Sequence, residues 1–247
     1  MGALVAEEAR ALGAALAGGT VRPGSERSGP AGVAAFDNLA ALARTCDVVI
    51  DFTHASAVQG HARALPEAGT AWVLGTSGLS AADEAAVAQA AQAVPVVYAA
   101  NYSPGVALVL ALAERMGAAL PADSYDAEIV EMHHRQKVDA PSGTAVAIGR
   151  AVAKGRGVSL DGVKESGRDG HTGPRKDGAI GFAALRGGQV VGEHTLLFAG
   201  ASEHIALSHR AFDRRSFATG AVRAAFWVVG REPGLYGMAD VLGVREG

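Results

Sequence analysis

Between residues 48 and 98 the chain alternates short, almost wholly apolar runs with longer stretches whose apolar residues recur every three or four positions. Residues 48–52 (VVIDF), 71–74 (AWVL) and 94–98 (VPVVY) have the length and character of strands, whereas residues 55–68 and 81–93 have helical periodicity. Strands that are apolar on both faces and joined by helices predict a parallel sheet covered by helices on each side. Ligands of such sheets sit outside the carboxyl ends of the strands. Thr53, the run Gly75, Thr76, Ser77 and Gly78, and the run Ala99, Ala100, Asn101 and Tyr102 fall at those ends. Residues 3–12 read as one more helix ahead of this alternation.

From about residue 103 the pattern changes. A helix over residues 106–120 leads to residues 125–134, where β-branched and apolar residues alternate with charges, the pattern of a strand running out into a loop. A helix follows Ser142, and then a glycine-rich, charged loop over residues 155–178. Three strands come next, at residues 179–186, 189–198 and 203–209, and their hairpin-like spacing predicts an open, partly antiparallel sheet. Residues 215–229 form a very apolar helix carrying Phe217, Phe226 and Trp227.

Composition narrows the class. The 247 residues make one large domain or two of ordinary size, and 49% hydrophobic residues suffice for a buried core. A net charge of −3 without a basic cluster makes nucleic acid and anionic membrane poor partners. No apolar run approaches the roughly 20 residues that span a bilayer, and the acidic, amphipathic opening is unlike a secretory signal. The single cysteine, Cys46, lies in an apolar stretch and reads as a buried core thiol; with no internal disulfide possible, the chain suits a reducing cytoplasm.

The chemistry concentrates in residues 128–145, EIVEMHHRQKVDAPSGTA. Two adjacent imidazoles, His133 and His134, are followed four residues after the first by the ammonium of Lys137, and then by a Pro-Ser-Gly-Thr turn that opens an apolar helix. Strand side chains alternate faces, so the two histidines point in opposite directions unless the strand has already ended, and they have different jobs. Histidine suits acid–base work near neutral pH. The first N–H groups of a helix lack intrahelical partners and, with the positive end of the dipole, form a cradle for a carboxylate or phosphate. Each part has a plainer reading as well: a satisfied structural histidine, and an ordinary serine N-cap. No metal is expected, because adjacent histidines on a strand diverge and the helical two-histidine spacing is absent.

The run EMHHRQKVDAPSGT resembles the central motif of the dihydrodipicolinate reductases. VIDFT at 49–53, LGTSG at 74–78, AANYS at 99–103, RGGQVVGEH at 186–194 and the closing GAVRAAFW and LYGMADVLG match that family in the same order, so the resemblance covers nearly the whole chain. It implies an α/β fold: a Rossmann-like parallel-sheet domain at 1–103 with 214–247 packing back on it, and an α+β substrate-binding and tetramerisation domain at 104–213 with a mixed open sheet. It also implies an NAD(P)H-dependent oxidoreductase of diaminopimelate and lysine biosynthesis, acting on a cyclic imine dicarboxylate. His133 is then the acid–base residue and Lys137 a second proton donor, while His134, Ser142, Gly143 and Thr144 bind substrate. Gly75, Thr76, Ser77, Ala99, Ala100, Asn101 and Tyr102 bind the nicotinamide and its ribose, and a homotetramer is the expected assembly.

Two departures bear on the cofactor. A dinucleotide unit opens with a strand and a glycine-rich turn; here Met1 and Gly2 align with the last two residues of that turn, so the first strand is expected to be missing and Gly2 is the phosphate-loop glycine that can be named. Either the start of the sequence is misassigned, or cofactor binding is weakened or lost. In GGTVRPGS at 18–25, the acidic residue that holds the adenosine ribose diol aligns with Val21, and Arg22 stands beside it. An arginine without the carboxylate favours a ribose 2′-phosphate, so NADPH is expected in preference to NADH. Two other functions stay open on the residues alone: another nicotinamide-dependent imine reductase, or a non-catalytic dicarboxylate-binding tetramer that has lost its cofactor half.

Overall fold

The computed structural model describes residues 1–21 and 32–244. It opens with α1 (Gly2–Ala11), two short strands β1 (Gly19–Thr20) and β2 (Ala35–Phe36) that pair in parallel, and α2 (Leu39–Ala43). The predicted alternation follows as β3 (Val48–Asp51), α3 (Ala55–Ala68), β4 (Ala71–Leu74), α4 (Ala81–Ala90) and β5 (Pro95–Tyr98). Next come α5 (Pro104–Ala119), β6 (Asp126–His133), α6 (Gly143–Gly155), α7 (Leu160–Val163), β7 (Lys164–Ser166), β8 (Ile180–Arg186), β9 (Gly192–Ala199) and β10 (His204–Ala211). The chain closes with α8 (Arg215–Val228), β11 (Gly234–Tyr236) and α9 (Met238–Leu242). It divides into two units, residues 1–104 with 215–243, and a second built on residues 105–214.

The first unit holds a four-stranded parallel sheet in the order β11-β5-β4-β3. All four residues of β4 are buried, which explains why AWVL shows no alternation: helices cover it on both faces. Trp72, Leu74, Val96, Val58, Leu65 and Val87 form its core. The helices are capped by their own sequence. The Ser80 hydroxyl and the Asp83 carboxylate make a capping box on α4, and Gly69 ends α3 in the left-handed conformation. The tail belongs to this unit because α8 packs on α1 and on β3 to β5, and because β11 adds to β5 as an edge strand. Among the described residues no strand pairs with the other edge of β3; a cavity of about 530 Å³ lies along it, lined by α1 and Gly19–Thr20. Cys46 lines this cavity and is only half-buried, so it edges the core instead of sitting inside it as a core thiol.

The second unit holds a five-stranded mixed sheet in the order β10-β9-β6-β8-β7. β9 and β10 form the expected hairpin, but β8 and β9 do not pair: β6 lies between them, parallel to β8 and antiparallel to β9. The reason is burial. Ala127 and Ile129 of β6 share one face with Ile180 and Phe182 of β8 and with Leu196 and Phe198 of β9, and that face packs on Ala145, Ile148 and Val152 of α6. The link between β8 and β9 therefore crosses the carboxyl end of β6 and bonds to it, with Gly187 N–H on His133 O, His134 N–H on Val190 O and Arg135 N–H on Gly188 O. The charged loop after β7 is tied down by Arg168 and Arg175, which bond the Glu128 carboxylate.

Helices α5 and α6 meet backbone to backbone. A methyl group on Gly117 would lie 2.6 Å from the Val152 carbonyl oxygen, and one on Gly155 would collide with the Glu114 carbonyl. Gly117→Ala is expected to destabilise the second unit by roughly 1–3 kcal/mol through overpacking. Gly60→Ala, in α3 with open space around it, should be neutral or slightly stabilising. Thermal unfolding of both variants checks the contrast, and an unchanged melting temperature for Gly117→Ala contradicts it.

Candidate active site

Along β6 the residues with odd numbers are buried, and the series runs Ala127, Ile129, Glu131, His133: two apolar side chains followed by two polar ones on the same face. The core thus gives way to a polar cluster at the strand's carboxyl end. Register brings the partners. Glu131 lies opposite His194 of β9, and His133 opposite Arg186 of β8. The start of α6 supplies the remaining member, Ser142.

Glu131 is 1% exposed and accepts four hydrogen bonds. Its Oε2 receives His133 Nδ1 at 2.7 Å and Arg186 Nη1 at 2.8 Å; its Oε1 receives Arg186 Nη2 at 2.9 Å and the Ser142 N–H at 3.0 Å. Burial alone would raise its pKa, but the Arg186 fork, His133 and the Ser142 N–H together hold it below the usual carboxylate range. His194 packs edge-on against His133, with ring centroids 5.1 Å apart, and its Nε2 lies 3.0 Å from Ser142 Oγ. Burial, and after it the neighbouring His133, push the His194 pKa down to about 4, so this ring is neutral at physiological pH. Its Nδ1 is buried without a partner. A lone acceptor is easier to leave unpaired than a lone N–H, so the proton sits on Nε2 and is donated to Ser142 Oγ. That oxygen also caps α6 by accepting the Ala145 N–H at 3.2 Å. Both lone pairs of Ser142 Oγ are then used.

The other predicted residues of this segment lie around the cluster. His134 follows the strand's last residue and is half-buried. Lys137 pairs with Asp139 at 2.8 Å, and the Asp139 carbonyl accepts Arg186 Nη2 at 2.6 Å, so the Lys137 loop is anchored to the same guanidinium. Gly143 and Thr144 are the first two residues of α6, where backbone N–H groups have no carbonyl one turn back within the helix. Among the described residues no three His, Cys, Asp or Glu side chains are grouped to hold a metal ion.

At the carboxyl edge of the first sheet, Asp51 plays an organising part that the apolar strand pattern did not single out. It is 2% exposed and accepts from Thr53 N–H at 2.9 Å, Thr53 Oγ1 at 2.7 Å and His61 Nδ1 at 2.7 Å, with Trp72 Nε1 at 3.3 Å and Thr76 Oγ1 at 3.4 Å. It thereby ties the segment after β3 to the segment after β4. Burial opposes its charge, but His61 and Thr53 hold its carboxyl below the usual range. A methyl on Gly75 would overlap the Phe52 ring, so a side chain there would have to displace that ring. Ser77 and Ala100 are exposed, Gly75, Ala99 and Asn101 half-buried, and Thr76 buried. The Tyr102 side chain is turned inward, its hydroxyl 2.8 Å from Val97 O and 3.0 Å from Leu74 O, so it locks the ends of β4 and β5 together. Gly2 is exposed at the start of α1, and Arg22 falls outside the described residues.

Comparison with known proteins agrees along the length of the chain. The family model for the dihydrodipicolinate reductase N-terminus matches residues 1–102, and that for its C-terminus residues 105–242. The chain is 69% identical over 245 residues to the 4-hydroxy-tetrahydrodipicolinate reductase of Granulibacter bethesdensis, covering 99% of this chain and 94% of that one. To the enzyme of the same name from Gluconacetobacter diazotrophicus it is 62% identical over 244 residues, covering 99% and 93%. Among solved structures, the dipicolinate-bound dihydrodipicolinate reductase from Paenisporosarcina sp. TG-14 superposes with a TM-score of 0.68 at 27% identity, over 83% of this chain and 78% of that one.

Asp51→Asn leaves the donors of Thr53 and His61 facing an amide, and is expected to cost roughly 1–3 kcal/mol at pH 7. A carboxyl whose folded pKa lies below its unfolded value of about 3.9 stabilises above that value and ceases to do so as pH falls through the folded pKa. The stability gap between wild type and Asp51→Asn should therefore be full at neutral pH and narrow below about pH 4. Urea denaturation at both pH values measures it, and a gap that widens in acid contradicts the assignment.

Proposed function

This chain belongs to the dihydrodipicolinate reductase family, and from that premise we propose how its residues divide the reaction among themselves. The activity is the NAD(P)H-dependent reduction of 4-hydroxy-tetrahydrodipicolinate to tetrahydrodipicolinate, in diaminopimelate and lysine biosynthesis. The single observation that carries the residue assignment is the placement of His133 at the end of a buried strand, beside the start of α6.

The substrate is a cyclic dicarboxylate that loses water to give a conjugated imine. When bound, NAD(P)H supplies a hydride to a ring carbon. The electron pair displaced by that addition must be quenched by a proton, so an acid at a fixed position lowers the barrier. His133 is that acid, acting through Nε2 because Nδ1 is engaged with Glu131. Lys137 is the second donor, and its positive charge offsets a substrate carboxylate. His134 contacts the substrate. The other carboxylate rests on the first turn of α6, held by the Gly143 and Thr144 N–H groups and the Ser142 hydroxyl, where the helix dipole favours an anion.

The residues at the carboxyl edge of the first sheet fit a dinucleotide. Gly75, Ser77, Ala99 and Ala100 are small and partly or wholly exposed, which permits the close approach of a nicotinamide ring and its ribose. Thr76, Asn101 and Tyr102 shape the same edge; Gly2, with open space around it at the start of α1, leaves room for a pyrophosphate at a helix N-terminus. Arg22, without an acidic neighbour at Val21, selects the 2′-phosphate of NADPH. The chain assembles as a homotetramer through the sheets of its second unit, a reading supported by Val130 and Leu185, which lie exposed on the face of that sheet opposite Glu131 and His133. Its compartment is the cytoplasm.

The test is NADPH oxidation with substrate generated in place from pyruvate and aspartate semialdehyde by the preceding enzyme. Under this assay His133→Ala should lower kcat by roughly 10²–10⁴-fold with a smaller change in KM, the effect of losing a positioned acid. Thr144→Val should mainly raise KM. Near-normal turnover by His133→Ala would remove it as the acid. For the cofactor, kcat/KM should be higher with NADPH than with NADH, and Arg22→Ala should erase the difference; equal values in the wild type would reject the assignment of Arg22.

A further inference from the structure

Resting on the assignment of His133 as the acid, we infer that Glu131 is the positioning residue of this site: its carboxylate decides which nitrogen of His133 faces the substrate and holds the anion cradle of α6 in place beside it. An ionised carboxylate only accepts hydrogen bonds. At 2.7 Å from His133 Nδ1, it therefore requires the proton on Nδ1 whether the ring is neutral or charged. Nε2 becomes the one nitrogen that exchanges a proton with a ligand.

The geometry goes beyond what a structural ion pair needs. A fork of Arg186 onto a carboxylate is complete with two bonds, yet each oxygen of Glu131 takes a second donor, His133 on one side and the Ser142 N–H on the other. These two belong to different elements, β6 and the start of α6, and have different tasks, proton transfer and anion binding. The same guanidinium also holds the Asp139 carbonyl, and with it the loop bearing Lys137. All the groups proposed to handle charge on the substrate thus share one anchor. Since two donors engage each oxygen, the carboxylate cannot rotate without breaking contacts to both elements.

Glu131→Gln probes this directly. With its amide oxygen kept toward the Ser142 N–H and Arg186 Nη2, the glutamine turns an NH₂ group toward His133 Nδ1 and Arg186 Nη1; the bond to Nη1 is lost, and His133 Nδ1 must then accept, so the ring adopts the other tautomer. Turnover should fall on the order of a hundredfold, while affinity for pyridine-2,6-dicarboxylate, measured by calorimetry, stays within about threefold because the cradle is kept. Residues that act as one unit are strongly non-additive, so kcat of the Glu131→Gln, His133→Ala double variant should lie within about threefold of His133→Ala alone. Losses that multiply, or a Glu131→Gln defect confined to dicarboxylate affinity, would leave Glu131 a purely structural residue and overturn the inference. The wild type supplies a reading independent of how the variants fold: nitrogen NMR of neutral His133 should show the proton on Nδ1, and a proton on Nε2 refutes it. Full turnover by His133→Ala is a distinct failure, since it removes the acid itself and the inference with it.

Discussion

An ionised carboxylate at 1% exposure survives in a protein interior only when its lone pairs are satisfied and its charge is countered. Glu131 imposes that condition on the second unit, and much of the unit's topology meets it. The counter-charge is Arg186, at the far end of β8, and it arrives because β8 runs parallel to β6 in the register that places Arg186 opposite His133. A plain hairpin of β8 with β9 would move that guanidinium away from Glu131. The central position of β6 therefore serves both the apolar core, through Ala127 and Ile129, and the polar cluster two residues further on.

The first unit repeats the device with different chemistry. Asp51 also ends an apolar strand and is also buried, but its donors are two threonines, a histidine and an indole N–H, with no guanidinium among the bonds described. Its charge rests on these hydrogen bonds and on the attraction of His61. Asp51 thus ties together short loops at the sheet's carboxyl edge, whereas Glu131 ties together strand, helix and loop. In each unit a carboxylate at the end of a buried strand turns the rigidity of a sheet into fixed positions for the residues just beyond it.

How much of this was legible in the sequence follows from the range of each interaction. Apolar periodicity placed the main strands and helices within a few residues, because it reports local burial. It missed β1 and β2, at two residues each, α7 and β7, which fall inside the run read as a charged loop, and β11, whose Gly-Leu-Tyr has no apolar run and is a strand only because β5 offers an edge. It also suggested hairpins where β6 intervenes, since spacing along the chain cannot show which distant strand inserts. The histidines, Lys137 and the Ser-Gly-Thr turn were visible as a motif. Their organisers were less so: Arg186 is 55 residues from Glu131, and His194 is 52 from Ser142. The signal available was a charge on the buried side of an apolar strand, Asp51 in VVIDF and Glu131 two residues before His133, which calls for partners without saying where they are.

The proposed anion cradle also depends on contacts remote from it. Helix α6 is fixed at its start by the Glu131 bond to the Ser142 N–H and at its end by the close approach of Gly155 and Val152 to the backbone of α5. A rigid helix held at both ends can neither slide nor tilt independently of the sheet, so the first-turn N–H groups keep a constant relation to His133. Displacements of about 1 Å are enough to cost large factors in rate when a proton and a carboxylate must be placed together. Gly155, twelve residues along α6 from Gly143, and Gly117 of α5 therefore belong to the same mechanical unit as His133, and the stability of the α5–α6 contact and the geometry of the site are one property of this fold.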